Sequence, residues 1–129
     1  MTLSPALLED ALRWRREFHR HPELGYQEQQ TSQFIAEELA QAGLQVFRGL
    51  ASTGVIGTLE NGTGPVIGLR SDMDALPITE KGDAEWRSAT PGVMHACGHD
   101  GHSAILLAAA RQLAATRQFS GTVHFIFQP

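Results

Sequence analysis

The sequence predicts an α/β fold in which helices flank a layered α/β/α sheet. Three observations carry this expectation. Two amphipathic segments of helical period come first, short β-forming runs follow, and a long apolar helical segment then leads into an alternating strand. An order of strand, loop, buried helix and strand places helices on a sheet and gathers polar ligands at the carboxyl ends of the strands.

Ser4-Pro5 opens the first helix, with serine as N-cap and proline in the first helical position. Leu7, Ala11, Trp14 and Phe18 recur at helical spacing, while Glu9, Arg13, Arg16 and Arg20 decorate the other faces. His21-Pro22 ends the helix, because a residue before proline is pushed out of the helical region. A second helix is predicted from Glu28 to Ala42, carried by Phe34, Ile35, Leu39 and Ala42, with Gly43 as its C-cap. Both are read as helices that cover a sheet.

Strands are predicted at Leu44 to Phe47, Gly54 to Glu60 and Pro65 to Arg70. The linker Asn61-Gly62-Thr63-Gly64 tolerates positive φ, so the last two strands are expected to form a hairpin. Residues 78–94 are polar and lack a period, which predicts a long loop of the kind that often carries function. From Ser103 to Thr116 the chain is apolar nearly all round and predicts a buried helix. Gly121 to Phe127 alternates and is rich in Val, Ile and Phe, a strand.

Composition narrows the class. With 42% hydrophobic and 19% charged residues the chain is an ordinary globular sequence rather than a disordered one. A net charge of −4 offers no basic face to nucleic acid or anionic lipid. No stretch approaches the ~20 apolar residues of a membrane span, and the N-terminus lacks the basic and apolar regions of a secretory signal. A lone cysteine forms no internal disulfide, and a cytoplasmic protein is the expectation.

The run from His95 to His102, His-Ala-Cys-Gly-His-Asp-Gly-His, is the densest in chemistry. It holds the only cysteine and three of the six histidines, so thiolate and imidazole donors stand two residues apart in a tight loop before a helix. Cys97 and His99 read as metal donors, with Asp72, Asp74 and Asp100 as carboxylates able to balance the charge. Two protein donors are fewer than the three or four that zinc takes. A small buried cysteine beside surface histidines is the bland alternative. A Cys97 nucleophile with a histidine base is another, although the flanking imidazoles are too close in sequence to aim easily at the sulfur. Asp72 and Asp74, two apart at a strand end, face one side and suit metal binding or the orienting of a metal-bound histidine; a solvated turn is the common explanation of such a pair. His19 and His21, near Pro22 and Glu23, read as a helix-end cap.

Taken together, His21-Pro22-Glu23-Leu24-Gly25, Gly54-Val55, Arg70 to Pro77, Met94 to His102 and Phe127-Gln128-Pro129 occur in an order that resembles one family. It is that of the metal-dependent amidohydrolases of the hippurate hydrolase and indoleacetyl-amino-acid hydrolase type, within the co-catalytic metallopeptidases that include aminoacylase and carboxypeptidase G. The resemblance implies a di-metal peptidase-like catalytic domain with Cys97 and His99 as metal ligands and Asp74 as the helper carboxylate. It implies two divalent ions (Mn, Zn, Co or Ni) and an N-acyl amino acid substrate. It further implies that a metal-bridging water attacks the amide, that a glutamate takes its proton and that the complete enzyme is a homo-oligomer.

In that family the Gln-Pro pair is followed by two glutamates, one the base and one a ligand, which this chain does not contain. Residues 1–129 are therefore expected to be the N-terminal part of the catalytic domain, without the rest of it or the lid and dimerisation domain. Alone they are expected to be inactive, to bind metal weakly and to expose apolar sheet edges. A complete, non-catalytic metal-binding module is the rival reading.

Overall fold

The computed structural model describes residues 2–129. Helix α1 (Pro5–Arg20) begins as its sequence dictates, with Ser4 Oγ accepting from the Leu7 N–H at 3.2 Å. Its apolar stripe buries Leu7, Trp14 and Phe18. Helix α2 (Gln29–Gln41) is followed by Ala42 and a left-handed Gly43, and it buries Ile35, Ala36 and Leu39. Four strands follow the predicted order, β1 (Gln45–Leu50), β2 (Gly54–Asn61), β3 (Val66–Asp72) and, after helix α3 (His99–Thr116), β4 (Gly121–Gln128).

The sheet order is β1-β2-β4-β3. The expected hairpin between β2 and β3 does not form. The hairpin is β1–β2, turned at Ala51 and Ser52, which both take positive φ. Strand β4 lies between β2 and β3, antiparallel to β2 and parallel to β3. The linker glycines permit a crossing rather than a turn. A Cβ on Gly64 would stand 2.7 Å from the Ser120 carbonyl oxygen, and one on Gly121 would stand 2.2 Å from that of Pro65. The linker thus passes directly over the start of β4, where the Thr122 N–H donates to Pro65 O at 2.9 Å.

Strand pairing sorts the side chains into two faces. Val55, Leu59, Val123, Phe125 and Phe127 share the buried face with the helices. α2 lies on β1 and β2, and α3 lies on β3 and β4. α1 packs chiefly on α3 instead of on the sheet as expected. The opposite face carries Phe47, Ile56, Val66 and Ile126, and Phe47 and Val66 are 61% and 65% exposed. The described residues therefore provide two layers of the predicted architecture. Helix α3 is also less uniformly buried than its composition implies: Ile105 is 68% exposed, while Leu106, Leu107 and Ala110 are in the core.

Two carboxylates fix α2 without belonging to its apolar face. Glu23, in the loop before the helix, accepts from the N–H groups of Gln30 and Thr31 at 3.1 and 2.7 Å and from Thr31 Oγ1 at 2.7 Å. It caps α2 from outside, since Glu28 at the N-cap position makes no side-chain cap. Glu28 instead is fully buried, where its Oε1 accepts from Thr53 Oγ1 at 3.2 Å. Burial, reinforced by the negative charge of Asp74, raises its pKa above 4.5, against the opposing pull of its hydrogen bonds.

Replacement of the cap by Glu23→Ala is expected to cost about 1–2 kcal/mol in denaturant unfolding, with Glu23→Gln recovering part of it. Glu28 predicts a pH effect of definite sign. A carboxyl that binds its proton more tightly when folded contributes stability in full below its unfolded pKa and loses it as pH rises through the folded one. Glu28 should pull the unfolding midpoint down as pH rises above about 4.5, against the opposite pull of the buried His95, and Glu28→Gln should remove that downward pull. An unchanged slope in Glu28→Gln would exclude Glu28 as its source.

Candidate metal centre

The outgoing end of β3 and the start of α3 meet at one point. Helix α3 begins at His99, a turn earlier than the apolar run predicts, on a left-handed Gly98 (φ 85°) with no capping side chain. His99 therefore stands on the first helical turn, facing the segment that leaves β3. Its Nδ1 lies 2.8 Å from Asp74 Oδ1 and 3.0 Å from the Asp74 carbonyl oxygen. A nitrogen facing two acceptors carries the proton, which in the neutral ring leaves the lone pair on Nε2. That is the arrangement of a histidine oriented to bind a cation.

Asp72 lies on the other side of the ring, its Oδ2 3.8 Å from His99 Nε2, beyond hydrogen-bond reach. Its Oδ1 accepts from Arg70 Nη1 at 2.7 Å and from Gln128 Nε2 at 2.8 Å. Both aspartates thus turn to His99, as their two-residue spacing allows. Ser103 Oγ donates to the Asp72 carbonyl at 3.1 Å and binds α3 to the strand a turn further on. Cys97 is an exposed free thiol on the loop just before the helix, and the His102 ring lies 5.9 Å from that of His99.

Among the described residues no three His, Cys, Asp or Glu side chains are grouped to hold a metal ion. The donor set is partial: an oriented imidazole lone pair, a thiol nearby in the chain, and carboxylate charge to balance a cation. Sulfur and imidazole together suit a borderline-soft divalent ion. Both nitrogens of His95 are buried without a partner, and Nδ1 of His99 is committed to Asp74, so none of these three is held on the Cys97 sulfur.

Two histidines occupy unexpected places. His19 is no helix-end cap; it is 5% exposed, with Nδ1 2.8 Å from Asp100 Oδ2 and Nε2 3.0 Å from Glu80 Oε1. Asp100 also receives Arg15 Nε at 3.0 Å. The available signal was the Arg15/His19 pair, four residues apart on α1 and beside the stripe of Trp14 and Phe18. Glu80, from the long 78–94 loop, accepts from the Ser88 N–H at 2.9 Å. Burial alone would raise its pKa, but the Ser88 N–H and His19 bring it below the ordinary value. His95 is 4% exposed, and burial pushes its pKa down to about 4, so the ring is neutral near pH 7.

The chain is similar in sequence and fold to known proteins. Residues 68–129 match the model of Peptidase family M20/M25/M40. The chain is 46% identical to IAA-amino acid hydrolase ILR1-like 5 of Arabidopsis thaliana, covering 98% of this chain and 30% of that protein. It is 41% identical to hippurate hydrolase of Campylobacter jejuni, over 100% of this chain and 34% of that one. The crystal structure of the Bacillus subtilis YXEP protein, a dinuclear metal-binding peptidase of the M20 family, superposes with a TM-score of 0.91 at 40% identity. The match covers 96% of this chain and 35% of that one. The chain thus spans about a third of the length of the relatives it matches. In fold and in sequence the chain is thus similar to proteins of Peptidase family M20/M25/M40, with the family match itself lying in residues 68–129.

Proposed function

We propose that residues 1–129 are the N-terminal part of the catalytic domain of a metal-dependent hydrolase that cleaves the amide bond of N-acyl amino acids, hippurate-like compounds among them. The observation that carries this reading is the His99–Asp74 pair, which leaves His99 Nε2 free at the carboxyl end of β3. The names of the relatives, hippurate hydrolase and IAA-amino acid hydrolase, support the substrate class.

Cys97 and His99 would hold the metal, with further ligands from outside this segment, and the complete site would take two ions of Mn, Zn, Co or Ni. Bound divalent ions supply a lowered water pKa and charge stabilisation for the tetrahedral oxyanion. Asp74 acts on the ring: it holds the Nδ1 proton and fixes the plane in which Nε2 presents its lone pair. Asp72 adds negative charge near Nε2 and, held by Arg70 and Gln128, keeps its own position.

Cobalt(II) titration of the 129-residue chain, read by thiolate-to-cobalt absorption, is expected to show uptake that Cys97→Ala removes. Asp74→Ala should weaken it about 10- to 100-fold. Uptake indifferent to both substitutions would exclude the assigned ligands. The reaction itself is tested on the longest product of the gene supplied with Mn²⁺ or Zn²⁺. Glycine should be released from hippurate, and the rate should fall at least about 100-fold in His99→Ala. Failure to cleave benzoyl, acetyl and indoleacetyl amino acids alike would overturn the proposal.

A further inference from the structure

The geometry points to His19 as a positioning residue for His99, acting through Asp100 across the interface between α1 and α3. The inference rests on the reading of His99 as a metal ligand.

The first turn of α3 has no local cap. Gly98 contributes no side chain, and its left-handed conformation opens the helix abruptly. The turn is held from outside at two adjacent residues. His99 is tied to Asp74 at the end of β3, and Asp100 is tied to α1 by Arg15 Nε and His19 Nδ1 at 3.0 and 2.8 Å. Asp100 is 2% exposed, so its charge is out of water and depends on these partners. It also lies in the first turn, where a carboxylate complements the helix dipole. Loss of one partner lets the turn relax, and the residue displaced with it is the neighbouring His99.

His19 is itself braced. Both of its nitrogens face carboxylate oxygens, Asp100 on one side and Glu80 on the other. Glu80 is in turn set by the Ser88 N–H, and Ala89 N–H donates to the Arg20 carbonyl at 2.8 Å. The 78–94 loop is thereby locked on α1, and α1 on the start of α3. The lock joins three segments far apart in sequence and includes no proposed metal donor. What it adds is orientation.

The two ends of His19 can be separated by substitution. In His19→Asn the amide nitrogen falls near Nδ1 and retains the Asp100 bond; in His19→Gln it falls near Nε2 and retains only the Glu80 bond. The readout is the tautomer of His99 in the metal-free chain, from long-range ¹H–¹⁵N correlation of its ring, with cobalt affinity measured on the same samples. The inference expects His19→Gln to turn a single Nδ1–H tautomer into a mixture and to weaken cobalt binding about tenfold. His19→Asn and Glu80→Gln should keep the tautomer and stay within about twofold of wild-type affinity. If His19→Gln does not fold, the isosteric Asp100→Asn takes its place in the comparison. A tautomer unchanged by His19→Gln, or changed equally by His19→Asn, overturns the inference. A wild-type chain that takes up no cobalt while its tautomer still responds to His19→Gln would remove the ligand reading and leave the coupling standing.

Discussion

A strand that ends and a helix that begins are joined here through one imidazole. His99 Nδ1 meets Asp74 where the chain has just left β3, and Ser103 repeats the tie to Asp72 one turn along α3. Because β3 and β4 run parallel, their carboxyl ends lie together, and Gln128 from β4 reaches Asp72 on the same rim. That rim is where parallel sheets collect chemistry, since helix starts and strand ends converge there. Without the bond to His99, Asp74 would be a solvated carboxylate after a strand. With it Asp74 defines the direction in which a lone pair points.

The elements with a strong local pattern were legible in the sequence, and those set by distant partners were not. Helices α1 and α2 follow from Ser4-Pro5, His21-Pro22 and Gly43, each of which acts on its own neighbours. That Asp72 and Asp74 could orient a metal-bound histidine was open to reading from their two-residue spacing at a strand end, with a solvated turn as the alternative. The order of the strands was not. Asn61 to Gly64 has the composition of a hairpin turn, yet the competition for β3 is won by β4, whose alternating Val123, Phe125 and Phe127 pair on both sides. Glu23 and His19 escaped for a related reason. A cap or an ion pair formed over many residues leaves no period in the sequence.

The interior near the rim is rich in polar side chains. Glu28, His19, His95 and Asp100 are all within 5% of full burial, and each answers to a different constraint. Asp100 and His19 satisfy one another, whereas Glu28 is pressed toward its neutral form and His95 toward the uncharged ring. Buried groups of this kind seldom raise stability over well-packed apolar ones. What the paired ones, Asp100 and His19, provide is a fixed arrangement, because a buried charge depends on the partners it has. The thiol of Cys97 stays outside this arrangement, exposed on its loop.

Strand β4 follows β1, β2 and β3 in the chain but lies between the second and third of them. During synthesis on the ribosome, the β1–β2 hairpin can close as soon as it emerges, while β3 has no sheet neighbour to join. It must wait through the whole of α3 for the strand that will separate it from β2. Val66, Ile67 and Leu69 are then a naked apolar edge in a nascent chain, the state most open to capture by another molecule. Topologies that close by inserting a strand centrally fold slowly, because distant segments must be brought together before any pairing compensates the lost entropy. The glycine crossing at Gly64 and Gly121 is the last gate on that route, since β4 can seat only where two backbones pass without side chains.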